Sequence, residues 1–428
     1  MQKLESKKVF TLFSGLVVLN TFFLLVVLLD VVFPVSRPVQ TLTILVLNIL
    51  FLTLNKGFNI KLIGTSPFVV CFYLFIVLLF SQILISLVTN TASTAILAGS
   101  LILILVTFWK LLTFGYDHFS DSEYVIAPYV LIGKYTVIAS CIVFVLSLLG
   151  VISPYTNPVD PTKYQLFEGN NSIEASNVYH PLYLVFILEK FRGVNFFGQF
   201  GTFCGLCHEP HLSTFLVTPS LFLILAGSRN KLMYIILFIS SSLLASSVTN
   251  IIFIALCLII YCLIKHKKMK RNSRTLIYVA SIFVIIYVAL NFQNLVETIG
   301  LEIVSSKMQS GNISYDTSTG IIEYMYSPQS FLGTGILIYA FNPHATDIGL
   351  VSFILNCAFQ ISFITGVVKL ICCKNMQVRI ASIALIYFLM HSFKIGQMMF
   401  QFPFLAMMLF IGHMLWLQKD NNDNIIRA

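Results

Sequence analysis

The 428-residue sequence is 57% hydrophobic and only 10% charged, with a mean hydropathy of +0.90. These values exclude a soluble globular protein and a disordered chain, and they place the sequence among integral membrane proteins. A formal net charge of +9 invites a nucleic-acid role, but the positions of the cations read as a membrane-topology signal.

Apolar runs of roughly 17–25 residues recur along the chain, the length an α-helix needs to cross about 30 Å of hydrocarbon. The short alternating strands of a barrel are not seen, so helices must satisfy the backbone in lipid. In chain order the runs predict spans near 9–33, 38–54, 67–89, 92–110, 134–153, 209–227, 232–248, 249–264, 275–292, 347–370, 378–394 and 398–416. The first is too long for a signal-peptide core and lacks a small-residue cleavage pattern. The expected fold is therefore all-α, a polytopic integral membrane protein of about twelve transmembrane helices in one domain, 1–428.

With the N-terminus placed in the cytoplasm, twenty of the 26 basic residues fall inside, including the "KHKKMKR" run at 265–271, and six fall outside. Both termini are then expected in the cytoplasm. Two outer connections are far longer than the rest, 154–208 and 293–346, and long loops in a compact fold are usually functional or disordered. The first carries "YHPLYLVFILEKF" at 179–191, which reads as an interfacial helix. The second carries "LVETIGLEIVSSKM" at 295–308, with a helix-like apolar face, and then "FLGTGI" at 331–336. Both are expected to fold onto the membrane surface and cap a cavity between the helices.

The nine cysteines are scattered, mostly within or beside spans, and outline no disulfide framework. Cys204 and Cys207 fall outside, in "FCGLCHEPHL" at 203–212, where Cys204, Cys207 and His208 reproduce the C-x-x-C-H order of c-type haem attachment. A c-type haem needs room outside the membrane and usually a second axial ligand, whereas this motif abuts a predicted span. Neither haem nor a metal is expected, and no cofactor.

The outer cations are Arg37, Lys163, Lys190, Arg192, Lys307 and Lys394. For a lipid pyrophosphate Arg192 is favoured, because a guanidinium binds phosphate oxygens bidentately; a snorkelling arginine at the end of an amphipathic helix is the alternative. Glu209 stands immediately before Pro210, where proline is favoured in the first helical turn, so it is either an N-cap or a functional acid held ionised by the helix dipole. His344, in "FNPHATDIGL", is of a residue type that titrates near neutrality and suits a base or a hydrogen-bond donor to phosphate; the alternative is an interfacial histidine beside a helix-capping Asp347. His211, Arg37, Lys394 and Asp347 complete the candidate substrate-binding set. No D-x-D, P-loop, G-x-S-x-G or H-E-x-x-H occurs, which argues against metal-dependent nucleotide-sugar enzymes and ATP-driven pumps.

Two patches, "FGTFCGLCHEPHLSTFLVTPSLFLIL" at 200–225 and "SFLGTGILIYAFNPHATDIGLVSFILNCAFQISFITGVV" at 330–368, resemble the O-antigen and capsular polysaccharide polymerases of the Wzy type, a family related to the O-antigen ligases. The first matches a glycine-rich approach, "EP" and an apolar helix; the second matches a "GtG…H…DxG" loop running into a late helix with a further glycine. The resemblance implies a metal-independent glycosyltransferase at the outer face of a bacterial inner membrane. Its partners would be undecaprenyl-pyrophosphate-linked oligosaccharide, membrane lipids, a chain-length regulator and a flippase, with no nucleic acid. It implies catalytic roles for Glu209 as the "EP" acid and His344 as the loop histidine. Arg192 matches by position only, since the family's arginine falls where this chain has Gly201 and Thr202. The alternatives are an O-antigen ligase, which differs in its acceptor, and a lipid-linked oligosaccharide flippase, expected to have shorter loops and charges inside the bundle.

Overall fold

The computed structural model describes residues 66–89, 123–159, 177–189, 197–206, 210–228, 230–265, 349–394 and 402–419, with single helical positions at Leu42, Val46, Ile49, Ile102 and Leu105. The expected spans 9–33 and 275–292 and the loop 293–346 lie outside the described residues, as do 38–54 and 92–110 apart from those single positions.

The described chain is mostly helical. Its helices are α1 (Pro67–Thr89), α2 (Glu123–Leu148), α3 (Pro210–Val217), α4 (Pro219–Gly227), α5 (Lys231–Leu244), α6 (Val248–Lys265), α7 (Gly349–Ile371), α8 (Met376–Ala381), α9 (Ile383–Lys394) and α10 (Phe402–Gln418). Within α1, α2 and α7 the stretches Pro67–Ile85, Tyr129–Leu148 and Ile354–Ile371 are long and apolar enough to cross a membrane; the other apolar helices are shorter.

Helix α4, "PSLFLILAG", is apolar on every side and lies at the centre, with every residue from Pro219 to Ala226 buried. An all-round apolar helix can only be satisfied by neighbours on all faces, and α2, α3, α5, α8 and α9 supply them. A second packing unit joins α1 to α7 and α10. There the Phe68 ring fills the space left by two glycines: a Cβ on Gly366 would lie 2.8 Å from Phe68 Cζ, and one on Gly412 would lie 2.5 Å from Phe68 Cδ1. Small residues that let an aromatic or a backbone approach are a recurrent way of packing helices in lipid.

Three expectations are corrected. Helix α2 begins at Glu123, not near 134, because Lys134 is tolerated inside it, and it ends at Leu148, not 153. Gly150, at φ +69°, closes it: the Gly150 N–H donates to the Ser147 carbonyl at 3.1 Å and the Val151 N–H to the Leu146 carbonyl at 3.0 Å, the paired bonds of a glycine helix stop. The runs at 209–227 and 378–394 each form two helices, divided at Thr218 and Ser382.

The third correction concerns "YHPLYLVFILEKF", which does not form an interfacial helix over its described part. It contributes β2 (Val178–Tyr179) and β3 (Phe186–Leu188) to a four-stranded antiparallel sheet with β1 (Pro158–Val159) and β4 (Thr202–Gly205), in the order β1-β2-β3-β4. A short apolar run fits either structure by pattern alone; here Pro181 and the positive φ angles of Leu182 (52°) and Tyr183 (54°) break the helical path. Val185, Ile187 and Phe203 turn one face of the sheet onto Ala139 and Val143 of α2 and Leu244 of α5.

Candidate functional site

The segment 201–227 runs from the sheet into the centre of the bundle, and its local chemistry explains each step. Gly201 (φ +73°) and Gly205 (φ +59°) both hold the left-handed backbone that favours glycine. Both are also tightly enclosed. A Cβ on Gly201 would lie 2.7 Å from Ile187 Cγ2 and from the Leu188 carbonyl oxygen. A Cβ on Gly205 would lie 2.5 Å from Thr136 Cγ2 of α2 and 2.6 Å from Ser213 Oγ of α3. The second glycine thus brings the end of β4 against both helices, and Pro210 opens α3 as its first residue.

The Thr218 N–H still reaches the Thr214 carbonyl at 3.0 Å, and the ladder is interrupted one residue on, because Pro219 has no N–H to give the Phe215 carbonyl four residues back. Hydroxyls from elsewhere serve the carbonyls around the interruption. The Tyr387 hydroxyl of α9 lies 3.3 Å from the Thr214 carbonyl oxygen, Tyr129 of α2 donates to the Leu216 carbonyl at 2.8 Å, and Ser220 to the Val217 carbonyl at 2.7 Å. Asn250 of α6 completes the node. Its Oδ1 accepts from the Thr218 hydroxyl at 3.2 Å and from the Tyr387 hydroxyl, and its Nδ2 donates to Ser242 Oγ of α5 at 2.7 Å. Ser242 in turn donates to the Phe238 carbonyl at 2.7 Å. Thr218, Ser242, Asn250 and Tyr387 are all buried, and the node contains neither acid nor base. This neutral network ties the junction of α3 and α4 to α5, α6 and α9.

At the other end of the segment, His180 was not singled out by the sequence reading. It is 2% exposed, its ring stacks on Phe186 at 4.2 Å with an interplanar angle of 2°, and its Nδ1 has no hydrogen-bond partner. Burial pushes its pKa down to about 4. Tyr155, whose hydroxyl donates to the Gln199 carbonyl at 2.6 Å, is pushed up by burial, then by Glu189 and Tyr179. Because neutral His180 is the buried form, the unfolded chain takes up its proton first. The stability this residue contributes is intact above about pH 6.5 and is lost as pH falls toward about 4, by at most about 2 kcal/mol once solvent screening is allowed for. Unfolding of the purified protein at about pH 7.5 and about pH 5 is expected to show that loss, and a His180→Phe variant to flatten it.

The sequence-derived candidates stand as follows. Glu209, with Cys207 and His208, lies outside the described residues, directly before Pro210. Arg37, Arg192, His344 and Asp347 also lie outside them. His211 is the second residue of α3 and Lys394 the last of α9, and neither side chain is among those described. Cys204 is buried in β4, with Sγ 3.6 Å from the Thr202 carbonyl oxygen. Among the described residues no cluster of His, Cys, Asp and Glu suits a metal. The residues that sequence reasoning missed are Thr218, Ser242, Asn250, Tyr387 and Tyr129; their signal was polar groups inside apolar runs, notably "LVTPS" at 216–220 and "SSVTN" at 246–250.

No protein-family model matches the chain, and neither a curated protein nor a solved structure matches it.

Proposed function

We propose that this protein is a polysaccharide polymerase that joins oligosaccharide repeat units carried on undecaprenyl pyrophosphate, at the outer face of a bacterial inner membrane, with about twelve spans and both termini in the cytoplasm. The observation that carries the reading is the fold of the "EP" patch. Its two glycines sit where only glycine fits, and its proline is the first residue of a helix that enters the bundle. An acid immediately before such a helix start stands at the positive end of the peptide dipoles, where a carboxylate is favoured.

In this reaction a hydroxyl of the incoming unit attacks the anomeric carbon of the growing chain. The new glycosidic C–O bond forms as the bond to the pyrophosphate breaks. The hydroxyl proton passes to a base, for which Glu209 and His344 are the candidates. The departing pyrophosphate gathers negative charge that Arg192, or Arg37 or Lys394, stabilises. His211 and Asp347 are placed with the substrate.

Alanine at Glu209, His344 or Arg192 is expected to lower polymer synthesis about 10²-fold or more, leaving single repeat units on the lipid carrier at the outer face. Gel analysis of surface polysaccharide reads the result: loss of the long ladder with retention of one-repeat material supports the polymerase. Accumulation of units on the cytoplasmic side points to the flippase, and loss of capped polymer with intact lipid-linked chains points to the ligase.

A further inference from the structure

Three lysines, one each from α2, α5 and α6, lie around the first turns of α5. Lys134 lies within the apolar stretch Tyr129–Leu148 of α2, an unusual place for a charge, since an ionisable group inside a span is costly and tends to serve a function. Its Nζ sits 5.2 Å from the ring centroid of Tyr234 on α5. Lys231 lies one turn before Tyr234 on the same face of α5, and its charge is close enough to that of Lys265, at the end of α6, for the two to repel. Lys265 Nζ in turn lies 6.0 Å from the Tyr261 ring centroid. Helix α5 packs on both α2 and α6, so Lys231 lies between Lys134 on the one side and Lys265 on the other.

Nothing described neutralises them. Among the residues whose side chains are described the one acid is Glu189, which is engaged in the sheet by Asn177 and Tyr179. A cation over an aromatic ring gains only about 0.5–1 kcal/mol at exposed sites, which does not compensate for grouping like charges beside an apolar surface. That surface is Leu131 and Tyr135 of α2 with Leu232, Met233 and Ile236 of α5, all exposed. An anionic head beside an apolar body is the chemistry that fits both halves. We propose that Lys134, Lys231 and Lys265 hold the phosphate of an anionic phospholipid whose acyl chains lie along the exposed apolar faces of α2 and α5.

The test reconstitutes the full chain in nanodiscs of equal parts phosphatidylcholine and phosphatidylglycerol and counts, by native mass spectrometry, the lipids that stay bound on release. Phosphatidylglycerol is expected to be enriched, and each of Lys134→Gln, Lys231→Gln and Lys265→Gln to reduce its binding about fivefold, the weight of one lysine at an anionic surface. Lys369→Gln removes a lysine placed elsewhere, 5.6 Å from the Trp416 ring, and is expected to leave the enrichment unchanged. If Lys134→Gln fails to fold, the variants at the helix ends, Lys231→Gln and Lys265→Gln, decide alone. Equal retention of both lipids by the unaltered protein, or enrichment that survives these variants, overturns the proposal. So does stabilisation by inorganic phosphate in pure phosphatidylcholine discs equal to that given by phosphatidylglycerol, because the ligand would then be free phosphate.

Discussion

Asn250→Leu is expected to destabilise the protein by about 2 kcal/mol, and the hydrogen-bond inventory around Asn250 decides that figure. Three partners lose a bond. The Tyr387 hydroxyl still reaches the Thr214 carbonyl at 3.3 Å, and Ser242 still donates to the Phe238 carbonyl at 2.7 Å. The Thr218 hydroxyl loses its bond to Asn250 and keeps the Tyr387 hydroxyl within bonding reach. One orphaned buried donor costs about 1–3 kcal/mol, whereas hydrogen bonds between membrane helices average only about 0.6 kcal/mol when the partners can find others. All three partners keep another group within reach, so the smaller figure applies to each lost bond, and three such bonds give about 2 kcal/mol. Tyr387→Phe alone is expected to cost less, and the double variant less than the sum of the two, by roughly 1 kcal/mol, because the two residues share a bond. Additive costs in a denaturant unfolding series would show that the node is not a unit. Because the node holds the far end of the helix that Pro210 opens, the proposed reaction is expected to weaken in step with stability in the Asn250 variant.

The helices of this fold were legible where the apolar run was long and uninterrupted: the expected span 67–89 is α1, and 347–370 is α7 to within two residues at either end. Legibility failed where a single residue redirected the chain. Lys134 looked like a boundary because it is charged, yet a lysine's long stem can carry its ammonium along the helix to a ring such as Tyr234. Pro219 did not stop the run at 209–227 by composition, but it breaks the hydrogen-bond ladder, and the hydroxyl beside the neighbouring Thr214 carbonyl is that of Tyr387, 173 residues distant in sequence. No local pattern can anticipate such a partner. The sheet was missed because "LVFIL" carries equal signal for strand and helix, and its pairing with Thr202–Gly205 is again a long-range choice. Of the candidate site, the glycines and Pro210 of the "EP" patch stand out in the sequence because left-handed backbone and a first helical turn are local requirements, whereas the close contacts of Gly205 with Thr136 and of Gly201 with Ile187 come only with the fold. The polar node could not, since each of its members is unremarkable until its partners are known.

Gly205→Ala and Gly150→Ala form the sharpest comparison, because both residues have left-handed backbone but only one is crowded. At Gly150 a Cβ would meet nothing within 4 Å, so alanine is expected to cost only the conformational term, about 1–2 kcal/mol. At Gly205 the same term applies, and the Cβ would also lie 2.5 Å from Thr136 Cγ2 and 2.6 Å from Ser213 Oγ, adding an overpacking cost of about 1–3 kcal/mol. The total, roughly 3–4 kcal/mol, is large against the 5–15 kcal/mol that holds a typical domain. Pairing Gly205→Ala with Ser213→Ala and Thr136→Ser removes both contacted atoms while keeping the Thr136 hydroxyl that bonds the Ile132 carbonyl at 2.8 Å. That triple variant is expected to regain the overpacking cost and to retain the conformational one, so its stability should approach that of Gly150→Ala. Recovery to the level of the unaltered protein would mean the left-handed backbone at Gly205 costs nothing, and no recovery would mean that the contacts do not set the requirement for glycine. The first outcome would make close packing the whole reason for glycine at this position, and the second would remove packing as a reason and leave the left-handed backbone alone to require it.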